Sequence, residues 1–94
     1  MKNTQKHTPG PWGRNIAPAW KYPIIFAGRN THVAYIFTNE LSESEQEANA
    51  DLIAAAPDLL QVTKDFLLLA ALHDWEGAAI DFAKTTLAKA EGGK

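Results

Sequence analysis

Residues 1–39 carry five cations, Lys2, Lys6, Arg14, Lys21 and Arg29, together with six of the nine aromatic residues and not one Asp or Glu. A segment of this kind suits an anionic nucleotide, because a flat ring can stack on the base while guanidinium or ammonium groups donate to phosphate. Trp12, Arg14, Trp20, Lys21, Arg29, Tyr35 and Phe37 are therefore the candidate ligand-binding side chains. The competing reading is that the aromatics fill a sheet core and the cations pair with acids elsewhere in the chain. Asn49 completes the candidate set, since its helical position falls among Leu52, Ile53 and Ala56, and an inward-pointing amide must be satisfied. It either bonds backbone at the HTPGPW turn or a sheet edge, or it reads a ligand's polar edge beside Tyr35 or Phe37.

Other chemistries lack their residues. With no cysteine there is neither a thiol nucleophile nor a thiolate metal site. His7, His32 and His73 show no i, i+4 pair and no HExxH pattern, and GxSxG, Walker A and GxGxxG strings are absent. We expect a non-enzyme with no metal and no cofactor. Two arginines and a sequence pI near 5.8 argue against sequence-specific binding to duplex DNA.

The net charge of −2 conceals an asymmetry, because residues 40–94 hold all eleven acids against only Lys64, Lys84, Lys89 and Lys94. The start of the chain has no apolar run of signal-peptide type, and the longest apolar stretch, 66–72, is far short of a bilayer span. Both point to a soluble protein, and the absence of cysteine points to the cytoplasm.

These residues need a scaffold, and the pattern predicts an α+β fold in a single domain, 1–94. Its expected parts are a flexible N-terminus over 1–10, a β region over 11–39 and a helical region over 42–91. Pro9-Gly10 suits the central pair of a type II turn that delivers Trp12 inward. Segments 20–22, 24–27 and 33–38 are rich in aromatic and β-branched residues, and a turn around 28–31 makes the last two a hairpin. Strand alternation sets Val33, Tyr35 and Phe37 on one face and His32, Ala34, Ile36 and Thr38 on the other. Three or four antiparallel strands are expected, followed by two or three helices.

Ser42 or Ser44 opens the first helix, each three residues before a glutamate in capping-box spacing. Its inner stripe reads Asn49, Leu52, Ile53 and Ala56, with Glu43, Glu47 and Asp51 opposite. Pro57 breaks that helix and starts a second, 58 to about 73, with Leu59, Val62, Phe66 and Ala70 on one stripe, Leu60, Leu67 and Ala71 on another, and Leu68 outside both. The third helix, about 75–90, has Trp75, Ala78, Ala79, Phe82, Thr86 and Ala90 as its inner stripe and ends at Gly92-Gly93. This much apolar helix surface predicts a homodimer or higher oligomer.

HTPGPW at 7–12 with EANADLIAAAPDLL at 47–60, and a last helix ending AKAEG, resembles a group of small proteins encoded by bacteriophages and prophages. The resemblance implies an accessory protein acting on host machinery, counter-defence included. Two readings follow. One is a protein that sequesters a small anionic nucleotide immune signal without catalysis. The other is a protein-protein inhibitor of a host defence complex, anti-CRISPR-like, whose acidic helices present Glu43, Glu47, Asp51 and Asp58. A structural phage accessory protein without a ligand is the remaining alternative.

Overall fold

The computed structural model describes residues 7–16, 22–28, 31–36 and 40–92. In chain order the elements are β1 Trp12–Ile16, β2 Pro23–Ala27, β3 Thr31–Tyr35, α1 Glu43–Ala54, α2 Ala56–Leu72 and α3 Ala78–Ala90. The strands form one antiparallel sheet in the order β1-β2-β3, so the fold is α+β. Two compact units divide the chain, Met1–Pro57 and Asp58–Lys94. The first holds the sheet and α1, and the second holds α3 and nearly all of α2.

β1 runs through Gly13, Arg14 and Asn15, which have weak strand preference. Pairing supplies what propensity lacks, since Trp12, Arg14 and Ile16 register against Ala27, Ile25 and Pro23 of the central strand. Pro23 opens β2, where its missing N–H is tolerated, and its carbonyl accepts the N–H of Ile36 at 2.9 Å. The β2–β3 hairpin is as expected, with Gly28 in the left-handed region at φ 65°.

Alternation along β3 is not regular. Ile25 pairs with Ala34 but Phe26 pairs with His32, leaving Val33 as the extra residue of a β-bulge. Because the bulge resets the period of two, His32 moves to the same face as Tyr35 and away from Ala34.

The core of the first unit lies between the sheet and α1. Ile25 and Pro23 are fully buried, Ala27 is buried, and Ala50 of α1 has no exposed surface. Ser42 caps α1, its Oγ accepting the N–H of Glu45 at 3.2 Å. The buried stripe is Gln46 and Ala50, flanked by half-buried Ile53 and Ala54, rather than Asn49 and Leu52. The helix is thus turned about 100° from the orientation its apolar residues suggest. Small alanines let the backbone approach the sheet closely, and Leu52 is left 64% exposed.

Helix α1 ends at Ala54 with Ala55 as its C-cap, and Pro57 sits in the first turn of α2, where a missing N–H breaks no helical bond. In the second unit Ala70 and Ile80 are buried, with Leu60, Leu67, Ala83 and Leu87 half-buried. The inner stripe of α3 is therefore Ile80, Ala83 and Leu87, and the stripe expected from sequence, Trp75 through Ala90, faces outward. Lys64 and Glu91 form an ion pair at 2.7 Å, which brings the end of α3 back beside α2, so the two helices run in roughly opposite directions as a helical hairpin.

The connection between them closes α2 with a Schellman motif. The N–H of Trp75 donates to the carbonyl of Ala70 at 2.8 Å, that of Asp74 donates to Ala71 at 3.4 Å, and Asp74 takes φ 55°. Among the described residues no helix is long and apolar enough to cross a membrane.

Candidate functional site

Arg14 leaves β1 on the face covered by α1 and meets two carboxylates one helical turn apart. Its Nε–H donates to Asp51 Oδ1 at 2.6 Å, and its Nη2 lies 3.6 Å from Glu47 Oε1. An i, i+4 pair of acids is the spacing that lets one guanidinium reach both. The hydrogen bond to Asp51 raises the Arg14 pKa above its ordinary value; desolvation opposes this, and the charges of Asp51 and Glu47 add to it. Arg14 is thus permanently charged and compensated, which leaves it poorly suited to hold phosphate. Glu47 and Asp51, expected to face solvent opposite the inner stripe, instead flank the buried stripe beside the sheet.

The HTPGPW segment folds onto itself and onto the start of α2. The Gly10–Pro11 peptide is cis and Gly10 does not take the positive φ of the expected type II turn. The indole N–H of Trp12 donates to the carbonyl of Thr8 at 3.1 Å, His7 Nδ1 lies 3.0 Å from the same oxygen, and the two rings meet edge to face. Gly10 lies so close to Pro57 that a Cβ there would fall 2.9 Å from the proline Cβ. HTPGPWGR and EANADLIAAAP are consequently the two halves of one clamp, joined by Gly10 on Pro57 and by Arg14 on Glu47 and Asp51.

The remaining candidates do not converge. Asn49 is exposed and belongs to neither the buried stripe nor the sheet contact, a correction to its inward placement. The buried amide of α1 is that of Gln46, whose Nε2 donates to the carbonyl of Leu41 at 3.0 Å. Tyr35 is exposed and shares a 2.8 Å hydrogen bond with His32 Nδ1, the rings at right angles. By register Tyr35 lies with Ile24 and Phe26, on the opposite sheet face from Trp12 and Arg14. Trp20, Lys21, Arg29 and Phe37 lie outside the described residues. Among the described residues no three His, Asp or Glu side chains gather as metal ligands would.

A different surface emerges in the second unit. Leu59, Val62, Phe66 and Leu69 are exposed along α2 at a 3-4-3 spacing, and Leu72, Trp75 and Phe82 are exposed with them. At 100° per residue the outer stripe of each helix lies about 110–125° from its inner stripe, turned in the same sense. In two antiparallel helices equal rotation brings both stripes to one side of the hairpin. The Trp75 ring lies 6.3 Å from that of Phe66 and stacks on His73 at 5.3 Å, extending the same face across the connection. Its sequence signal is the 59-62-66-69 spacing, which reads equally well as a stripe facing the protein's own core.

A family model described as Salmonella phage P22 protein Y8K6 matches residues 1–94. The chain is also similar to alpha-L-arabinofuranosidase 2 of Arabidopsis thaliana, 37% identical over 82 residues, which is 84% of this chain and 12% of the enzyme's length. No solved structure matches.

Proposed function

Because the chain belongs to the Salmonella phage P22 protein Y8K6 family, we propose that it is a phage accessory protein that works by binding another polypeptide, without catalysis. The single observation that carries this reading is the apolar surface left uncovered on the α2–α3 hairpin, with Val62, Phe66 and Leu69 exposed on α2 and Phe82 exposed on α3. Contiguous apolar patches of this kind mark interaction sites. The first unit is the frame: its two sequence motifs hold each other and leave the hairpin to do the binding.

Sequestration of a small anionic nucleotide draws less support from the described residues. Arg14 is compensated by two carboxylates, and Trp12 and Tyr35 stand on opposite faces of the sheet. A host-complex inhibitor acting through its acidic helices meets a similar obstacle, since Glu47 and Asp51 already pair with Arg14. Counter-defence would then be a matter of which polypeptide the hairpin engages.

The test is capture from phage-infected extract with the tagged full chain and its Phe82→Glu variant, analysed for polypeptides and small molecules. A polypeptide retained by the parent and lost by the variant is the expected result. A nucleotide retained equally by both, with no polypeptide, would replace this reading with sequestration.

A further inference from the structure

We propose that the occupant of the hairpin face is a second copy of this chain, the two hairpins closing face to face into a four-helix bundle with α2 of one copy on α3 of the other. This rests on the binding reading above and names its partner. The first ground is area. Val62, Phe66, Leu69, Leu72, Trp75 and Phe82, with Leu59 at the margin, are roughly half to three-quarters exposed apart from Phe66. Side chains of this size then leave on the order of 100 Å² each. The face totals on the order of 700 Å², above the ~300–600 Å² of the largest patch on a typical monomer and close to the ~800 Å² that one partner contributes to a standard interface.

The second ground is architecture. A two-helix layer has one apolar side to cover, and a copy of the same layer related by a twofold axis covers it with an isologous interface. The 59-62-66-69 spacing is that of a helix-packing seam.

The third ground is charge, and it selects the arrangement. Asp58 and Asp65 edge the α2 stripe, whereas Lys89 in the last turn of α3 edges the other. Stacking α2 on its own copy would set the two aspartate rows against each other. Stacking α2 on the partner's α3, antiparallel, brings Asp58 at the start of α2 to the end of α3 that carries Lys89.

Sedimentation equilibrium of the full chain between about 1 and 100 µM should give a mass near twice 10.3 kDa. Phe82→Glu and Val62→Glu should each give monomer while the far-UV circular dichroism stays helical; the Phe82 side chain is 73% exposed, so its replacement removes no core contact within the chain. Asp58→Lys and Lys89→Asp should each weaken the dimer about two- to five-fold, and the double exchange should recover most of the loss. A monomeric parent chain that still loses a captured polypeptide on Phe82→Glu would overturn self-association and leave the binding reading standing. A monomeric parent that captures nothing would overturn both. A dimer untouched by either face substitution, or an exchange that recovers nothing, would overturn the proposed packing.

Discussion

Arg14 on β1 and Asp51 on α1 are 37 residues apart in sequence and 2.6 Å apart in the fold. The bond joins a strand of weak intrinsic preference to a helix whose buried side is built from alanine and glutamine. It also sets the rotation of that helix, because the edge bearing Glu47 and Asp51 must face the guanidinium. Arg14→Asp and Asp51→Arg should each lower the thermal midpoint, and the double exchange should restore part of it. The sign of the pH dependence follows from the raised Arg14 pKa. Its stabilisation is fully present below the ordinary arginine value and is lost only as pH climbs through the raised one, so Arg14 itself contributes no pH dependence between pH 6 and 9. Thermal scans of the four proteins check both statements.

Gly10 against Pro57 is a steric contact that no other side chain can share. Gly10→Ala should destabilise the chain by about 1–3 kcal/mol, as overpacking of a fitted contact does. The same substitution should cost less in a Pro57→Gly background, where the proline Cβ is gone. Urea unfolding of the four members of this cycle measures the coupling.

Asn49 and Gln46 exchange the roles that helical periodicity assigns them. Asn49→Ala, on an exposed position of a helix, should change stability by less than about 0.5 kcal/mol. Gln46→Ala should cost about 1–2 kcal/mol, since it leaves the carbonyl of Leu41 without the amide that satisfies it. An Asn49 substitution that destabilises more than Gln46 would contradict the observed rotation of α1.

Asp74 holds the left-handed position that ends α2, a conformation glycine adopts without steric cost. Asp74→Gly should leave stability unchanged or raise it by about 0.5 kcal/mol, whereas Asp74→Val should lower it by about 1–2 kcal/mol. Thermal midpoints of the two variants, compared with the parent, test the motif.

Much of the outline was legible from local chemistry. Ser42 with Glu45 marks the start of α1, Pro57 marks the break, and Gly28 with the apolar runs beside it marks the β2–β3 hairpin. Each depends on a backbone preference or a capping bond within a few residues, which a single sequence displays. The β1 strand was not legible, because Gly13, Arg14 and Asn15 become a strand only through pairing with β2.

What the sequence by itself determined is therefore the fold class, the positions of the helix breaks and the separation of a basic aromatic front from an acidic helical back. Only the tertiary structure decided which face of each helix is buried, that Arg14 is met by Glu47 and Asp51, that a bulge sends His32 to the side of Tyr35, and that the apolar stripe of α3 looks outward. The reason is physical. Periodicity reports that a helix has an apolar side, but it does not report what covers that side, and in this chain small alanines and one ion pair turn α1 toward the sheet while the larger apolar side chains of the hairpin stay exposed.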